Sequence, residues 1–530
     1  MMRSTRLLGR ASSHVHIPAA RLPRLLMSSL GASPLYRPHI TRQFRSINIA
    51  SVACTNSKRE GDISDSFASM AGVEEKPLPD RYRELKLSLV EGNEAAIKHG
   101  WQRLLAELRN ENDILAAQGP AAVPDIQFDS LSEDISKHRE TLLKRGVAVI
   151  RGVIPEAEAR AYKESIEAYA AKNPSTRGFP PENRQVFELY WSAAQLRARS
   201  HPNLARVQRE LMTTLWHAAP EAEVDLGQPM TYADRLRIRQ PGDARFALGP
   251  HQDGGSVERW EPKGYGCGHV YDEVFAGQWE DYDAWDAGKR ALAIIDMHQG
   301  LGACSVFRAF QGWLSISHVA PLEGTLLVYP LAKLSTAYTL LRPFFEPLNT
   351  SLAPNSAEFL DASNWTFTSR DNMASTLQGA TPGHGQEFPT AKDGTPLHPH
   401  LELARAMVHV PAVKPGDFVV WHCDTIHAVD KVHNGTGDSS VLYIPVCPMT
   451  EENARYLVTQ RDCVLSGVPS PDFPGGKGES EHVDRPDPVV TLTGYGEAAL
   501  QSMGLGKLVT SSTAPGAAAI TAKANKILGF

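Results

Sequence analysis

The sequence contains the stretch Gly249-Pro250-His251-Gln252-Asp253-Gly254-Gly255, which places an imidazole and a carboxylate two residues apart. It follows residues 232–240, where apolar and charged residues alternate as they do in a strand. Because residues i and i+2 of a strand point to the same side, His251 and Asp253 are able to hold one ion. The stretch therefore predicts part of a metal site on a β-sheet.

A second stretch, at residues 415–427, reads Pro-Gly-Asp-Phe-Val-Val-Trp-His-Cys-Asp-Thr-Ile-His. It combines a Gly-Asp turn, an apolar strand and a final histidine, His427. Two imidazoles and one carboxylate hold non-haem Fe(II) on one face and leave three positions open. A His-x-Asp pair alone recurs by chance in long chains, so it is the combination that predicts Fe(II) at His251, Asp253 and His427.

The second stretch resembles the closing strand of the phytanoyl-CoA-dioxygenase-like Fe(II)/2-oxoglutarate oxygenases, and residues 145–155 resemble the first strand of that group. Longer strings resemble an uncharacterised family within the group, the domain of unknown function 1479. The similarity covers roughly residues 80–510, and the strings that carry it lie at 307–313, 323–328, 385–387, 398–400, 421–430, 443–445 and 471–476.

The resemblance implies an α+β chain with a mainly β core. That core would be a double-stranded β-helix of the jelly-roll or cupin-like kind, with flanking helices and an N-terminal helical preface. We expect a linker and helical preface at 60–144, the β-helix domain at 145–465 with an insertion at 330–400, and a C-terminal extension at 466–530. Helical spacing also predicts helices at 131–144 and 184–201, and β-rich runs predict strands at 291–297 and 305–310.

Residues 1–59 contain nine Arg, one Lys and no acidic residue. This Arg-rich, Ser-rich composition predicts a mitochondrial transit peptide, with a disordered basic leader and a cytoplasmic protein as the alternative. Without these residues, 44 basic side chains face 60 acidic ones, a formal net charge of −16. So acidic a body gives no reason to expect nucleic-acid binding.

Two absences bear on the compartment and the class of protein. No run of about 18 apolar residues predicts a membrane span. The six cysteines form no Cys-x-x-Cys, which favours a reducing compartment over a disulfide framework.

The resemblance implies O2 and 2-oxoglutarate as cosubstrates, with the keto oxygen and one carboxylate of 2-oxoglutarate on the iron. Its remote carboxylate requires a buried cation, best an Arg. Related oxygenases commonly carry that Arg ten to fourteen residues after the distal His, but residues 437–441 contain neither Arg nor Lys. The candidates are Arg308, among aromatic residues, and Arg237 and Arg239, which otherwise belong to an ion-paired strand surface.

Other polar residues have simpler interpretations. We expect His422 to bond a backbone group, and Cys423 and Asp424 to support the iron ligands. His269 and His433 lack a carboxylate at strand spacing. His398, His400 and Glu387 are candidates for a substrate pocket.

The leading hypothesis is an Fe(II)/2-oxoglutarate-dependent dioxygenase that hydroxylates a small molecule. One alternative is a cupin-type metal enzyme that does not use 2-oxoglutarate. The other is a non-enzymatic binding protein on an oxygenase scaffold. The sequence indicates neither the substrate nor the oligomeric state.

Overall fold

The computed structural model describes residues 63–70, 77–245, 247–391, 394–473, 475–510 and 512–530. In these residues strands and helices mix in an α+β fold. The strands are β1 Asp125–Gln127, β2 Val147–Arg151, β3 Gly178–Phe179, β4 Val186–Phe187, β5 Asp225–Met230, β6 Leu236–Arg239, β7 His251–Gln252, β8 Phe310–Ser315, β9 Leu326–Tyr329, β10 Phe345–Pro347, β11 Trp365–Phe367, β12 Gln386–Glu387, β13 Val408–His409, β14 Phe418–His422, β15 Ile426–Val429, β16 Ser439–Tyr443 and β17 Cys447–Met449.

The α-helices surround the sheets. They are α1 Arg81–Val90, α2 Glu94–Gln118, α3 Leu131–Lys137, α4 Arg139–Arg145, α5 Glu156–Lys172, α6 Ala193–Arg199, α7 Pro202–Leu215, α8 Asp272–Phe275, α9 Ala287–Arg290, α10 Ala332–Leu341, α11 Ala357–Leu360, α12 Leu403–Ala406, α13 Glu451–Ser466, α14 Pro488–Thr493, α15 Glu497–Ser502 and α16 Pro515–Leu528. As predicted, α1 and α2 form a helical segment ahead of the strands.

Two large sheets organise the chain. Sheet 1 has the strand order β1-β2-β14-β8-β16-β6-β4-β3, and sheet 2 has the order β12-β7-β15-β9-β13. From β6 to β9, and again from β13 to β16, the chain moves between the two sheets. Neighbouring strands are antiparallel, apart from the parallel pair β1 and β2. Two small sheets, β10-β11 and β17-β5, complete the described strands.

Turn residues explain where the central strands of sheet 1 begin. Gly146 ends α4 in the left-handed conformation, at a φ of 64°, and β2 follows directly. Gly416, at a φ of 91°, makes the turn before β14, where a Cβ would collide with the carbonyl oxygen of Ile154. The Asp417 carboxylate accepts the N–H groups of Gly152 and Lys414. The Gly-Asp turn thus fixes β14 beside β2.

Predictions from local sequence patterns were wrong in four places. The predicted helix at 131–144 divides into α3 and α4 at His138. In the predicted helix at 184–201 only α6 is helical, because residues 186 and 187 pair with β6 as strand β4. The runs at 291–297 and 305–310 do not form strands as predicted. Leu292 and Ile294 are largely exposed in the first, and β8 begins only at Phe310.

The insertion at 330–400 carries α10, α11 and three strands, of which β12 joins sheet 2 beside β7. The C-terminal residues form α14 to α16, and α16 packs against α13 and β5. The predicted transit peptide at residues 1–59 lies outside the described residues. No helix among the described ones is long and apolar enough to cross a bilayer.

Candidate metal centre

Sheet 2 brings His251, Asp253 and His427 together; we call them the His251 cluster. Strands β7 and β15 are antiparallel neighbours, and His251 lies directly opposite His427 with the ring centroids 4.1 Å apart. Asp253 follows β7, with one carboxylate oxygen 3.9 Å from His251 Nε2 and the other 3.6 Å from His427 Nε2. The pairing of β7 with β15 thus brings together His251 and His427, which are 176 positions apart in the chain.

The hydrogen bonds of the two imidazoles fix which nitrogen faces that point. His251 Nδ1 lies 2.7 Å from the carbonyl oxygen of Gly249, and His427 Nδ1 lies 3.0 Å from that of Thr425. A carbonyl oxygen only accepts, so each Nδ1 carries the proton and donates it. In the neutral imidazole each Nε2 then presents a lone pair towards Asp253, as in histidines that bind a metal.

Burial and charge shift two groups of the cluster, His427 and Asp253, towards the protonation states that a metal requires. Burial, helped by the neighbouring His251, lowers the pKa of His427 to about 3, so its imidazole is neutral. Burial acts to raise the pKa of Asp253, but His251, His427 and Arg308 outweigh it and lower the value. With both imidazoles neutral, the cluster offers two lone pairs and a carboxylate, a donor set that fits a divalent cation.

A cavity of about 130 Å³ lies between the two sheets, with the His251 cluster in its wall. One water needs about 10–15 Å³, so the cavity admits a small organic molecule. Its lining combines guanidinium and carboxylate groups with aromatic rings. Among the lining residues are Tyr232, Arg235, Arg237, Arg308, Gln311, Trp313, Trp421, Tyr443 and Phe473.

The three candidate arginines have different surroundings. Arg239 is held by Asp243, 2.7 Å from its Nε, and donates to the carbonyl oxygens of Asp430 and Lys431; it does not line the cavity. Arg308 lies beside the His251 cluster, with Nη2 3.9 Å from the Asp253 carboxylate. Arg237 lies in the cavity wall, 1 % exposed.

Arg237 is a buried cation without an ion pair to any described carboxylate. Its Nη2 donates to the carbonyl oxygen of Gly324 and the hydroxyl of Ser439, its guanidinium lies 4.5 Å from the centre of the Trp313 ring, and its Nε has no partner among the described residues. Burial lowers its pKa to about 10. Such a charge is stable beside an anion.

Arg237 lies on the strand beside the residues that follow His427. In sheet 1, β6 pairs with β16, and Arg237 lies directly opposite Val441. Val441 belongs to the window 437–441, which contains neither Arg nor Lys. A buried guanidinium therefore lies on the strand next to that window.

His422, Cys423 and Asp424 form another cluster of potential ligands, which we call the Asp424 cluster. His422 Nδ1 accepts the Asp424 N–H at 3.0 Å, so its Nε2 carries the proton and donates to the carbonyl oxygen of Ala284, as predicted. Burial raises the pKa of the Cys423 thiol to about 12. Arg259 and Arg290 each bind one oxygen of Asp424. Both oxygens of Asp424 and both nitrogens of His422 are thus engaged by protein groups.

The remaining candidates lie elsewhere. His398 and His400 are buried beside Tyr338 and do not line the cavity, so they are not substrate-pocket residues here. Glu387 accepts from Ser69. His269 is exposed and pairs with Asp272. Phe473 was not among the predicted site residues, although it lies in the string 471–476; it reaches the cavity from the C-terminal residues and lies under the guanidinium of Arg235.

Residues 76–505 match the Gig2-like family, and the chain belongs to that family. The chain is 31% identical in sequence to GlcNAc Inducible Gene 2 (GIG2, DUF1479) from Candida albicans, whose crystal structure it matches with a TM-score of 0.74. The match covers 86% of this chain and 97% of that one. The resemblance to the domain of unknown function 1479 is thereby confirmed.

Bacterial relatives extend the family. The uncharacterized protein YbiU of Escherichia coli K12 is 31% identical over 69% of this chain and 82% of that protein. A crystal structure of a candidate oxidoreductase from Salmonella typhimurium LT2 is 29% identical, with a TM-score of 0.63, over 81% of this chain and 99% of that one.

Proposed function

We propose that the chain is an Fe(II)/2-oxoglutarate-dependent oxygenase that hydroxylates a small molecule. One observation carries the proposal. The His251 cluster and the unpaired guanidinium of Arg237 line the same cavity. A facial triad alone would suit many metal enzymes, whereas a triad with a buried, unpaired cation suits an anionic cosubstrate. The name of the Salmonella relative agrees with this reaction class.

We also assign the core as a double-stranded β-helix. The support is the path of the chain, which places β6, β8, β14 and β16 in sheet 1 and β7, β9, β13 and β15 in sheet 2. Eight antiparallel strands divided between two facing sheets are the pattern of a jelly roll. The assignment puts the cavity between the two sheets, where the candidate ligands are.

In this proposal Nε2 of His251 and His427 and the carboxylate of Asp253 hold Fe(II). The carbonyl groups of Gly249 and Thr425 orient the two rings through Nδ1. Bound iron, O2 and 2-oxoglutarate together supply the oxidation of a C–H bond, with release of succinate and CO2. The protein supplies the ligands, the anion site and the cavity that would take the substrate.

Arg237 is our candidate for the remote carboxylate of 2-oxoglutarate. Its buried guanidinium needs an anion, and the cavity provides the space beside it. Trp313 fixes the guanidinium plane from one side, while Tyr443 and Gln311 lie in the same wall. Arg308 is closer to the metal ligands and suits an anionic group near the iron.

The test is an anaerobic titration of the Fe(II) protein with 2-oxoglutarate, followed by visible spectroscopy. We expect a weak charge-transfer band in wild type and none in His251→Ala, which loses iron. Arg237→Met should keep iron and weaken 2-oxoglutarate binding about 10- to 100-fold, the effect of one charge-assisted hydrogen bond or more. Arg109→Met, a change on the exposed face of α2, is the matched control.

Each result selects one hypothesis. Iron without a band in wild type would replace the proposal with a cupin-type metal enzyme that does not use 2-oxoglutarate. A protein that binds no iron would be a binding protein on an oxygenase scaffold. Unchanged 2-oxoglutarate affinity in Arg237→Met would move the anion site to Arg308.

A further inference from the structure

Residues 63–70 lie at the mouth of the cavity. Ile63, Ser66 and Phe67 belong to its lining, and Ile63 and Phe67 are only 6% and 5% exposed. The edge of the Phe67 ring meets the His251 ring, with centroids 4.7 Å apart and planes at 73°. This short segment therefore covers a metal-ligand candidate with an apolar side chain.

Hydrogen bonds hold the segment to the strand that neighbours His251. Gly385 donates its N–H to the carbonyl oxygen of Ser66 at 2.9 Å. Ser69 donates its N–H to Glu387 at 3.0 Å, and its hydroxyl to the other oxygen of the same carboxylate. Glu387 is the residue of β12 that pairs with His251 of β7. Glu387, which anchors the segment, and His251, a candidate metal ligand, are therefore cross-strand partners.

Glycines shape the surface on which the segment rests. A Cβ at position 385 would lie 3.0 Å from Cε1 of Phe67, and a Cβ at position 302 would overlap the Ser66 hydroxyl. Glycine at these two positions leaves the room that the segment occupies. The fit is therefore steric as well as polar.

We propose that residues 63–70 are a lid over the cavity and that Phe67 is a positioning residue, which shields His251 from bulk water. The bonds between Ser69 and Glu387 are exposed, so water replaces them when the lid opens for ligand entry. Closure then excludes water during the reaction. The segment precedes residues 76–505, which match the family. The role of the lid in protecting iron rests on the proposed function; the closure itself does not.

The first test measures how fast a ferrous chelator removes iron from the anaerobic Fe(II) protein. Phe67→Ala removes the covering ring, and Gly385→Ala pushes it away without changing it. We expect both to release iron about ten-fold faster, the factor that corresponds to one lost contact of hydrogen-bond strength. Gly437→Ala is the control, because a Cβ there meets nothing within 4 Å. Release at the wild-type rate in both variants would overturn the lid.

The second test needs no metal. Hydrogen exchange of the Ser69 and Gly385 amides should be protected in wild type and about ten-fold faster in Glu387→Gln. Glu346→Gln, an exposed change on β10, should leave both amides unchanged. Unprotected amides in wild type would overturn the lid whether or not iron binds. Protected amides in a protein that binds no iron would support the lid and reject the proposed function.

Discussion

The His251 cluster and the Asp424 cluster have similar ligand types, and their nearest members, Asp424 and His427, are three residues apart. In the Asp424 cluster every acceptor has a partner: Arg259 and Arg290 bind the carboxylate, and backbone groups bind both nitrogens of His422. In the His251 cluster two lone pairs and a carboxylate converge on a cavity. The type of residue does not distinguish a metal site from a structural ion pair, but the hydrogen-bond partners do.

The largest stability effect should follow from breaking the Asp424 cluster. In Asp424→Asn, Arg259 and Arg290, each 1% exposed in its side chain, lose their counter-charge. Removing one member of a buried ion pair lowers the free energy of unfolding by about 3–5 kcal/mol. Urea unfolding measures the change. Iron content per folded molecule should remain at the wild-type value.

The control for Asp424→Asn is the corresponding change in the His251 cluster, Asp253→Asn. Asp253→Asn should abolish iron binding, measured by metal analysis, because it removes the only anionic ligand. The side chain of Asp253 is 26% exposed to the cavity, so the loss of stability should be smaller than in Asp424→Asn. Equal stability losses in the two variants would contradict the distinction between the clusters.

Glu479 extends the comparison to a buried carboxylate without a cation in contact. One of its oxygens accepts the N–H groups of Tyr190 and Trp191, and the other has no partner among the described residues. Burial raises its pKa to about 7, although these N–H groups lower it. For Asp424, burial also acts to raise the pKa, but Arg290 and Arg259 bring it below its usual value. The two carboxylates differ because the guanidinium groups in contact with Asp424 outweigh the effect of burial on its pKa, whereas no described cation contacts Glu479.

This raised pKa predicts a pH dependence of stability. Between its usual pKa and about 7, the folded protein holds a proton on Glu479 that the unfolded chain has released. The stabilisation is complete below the usual pKa and is lost as pH rises through about 7, by about 3 kcal/mol in total. In Glu479→Gln the amide oxygen still accepts both N–H groups. The variant should therefore gain stability relative to wild type between pH 5 and pH 8, measured by urea unfolding. A difference independent of pH would contradict the raised pKa.

The three candidate ligands that meet in the His251 cluster could be predicted because each lies in a local pattern: a His-x-Asp pair, and a histidine that follows a Gly-Asp turn and an apolar strand. Arg237 could only be one candidate of three, because its role depends on the pairing of β6 with β16, which brings it opposite Val441. Tertiary pairing also explains the errors. Residues 186 and 187, for example, have helical spacing but pair with β6.

The smallest effect is expected for a histidine with a carboxylate partner but no cavity. His269 lies 2.8 Å from Asp272, and both side chains are mostly exposed. His269→Asn suits the left-handed backbone at this position, with a φ of 55°. Exposed ion pairs contribute little, so we expect a change in the free energy of unfolding within about 0.5 kcal/mol and unchanged iron content. A histidine beside a carboxylate would then be inert at the surface, whereas His251 and His427 are candidate metal ligands because protein carbonyl groups hold each Nδ1 and leave each Nε2 facing the cavity.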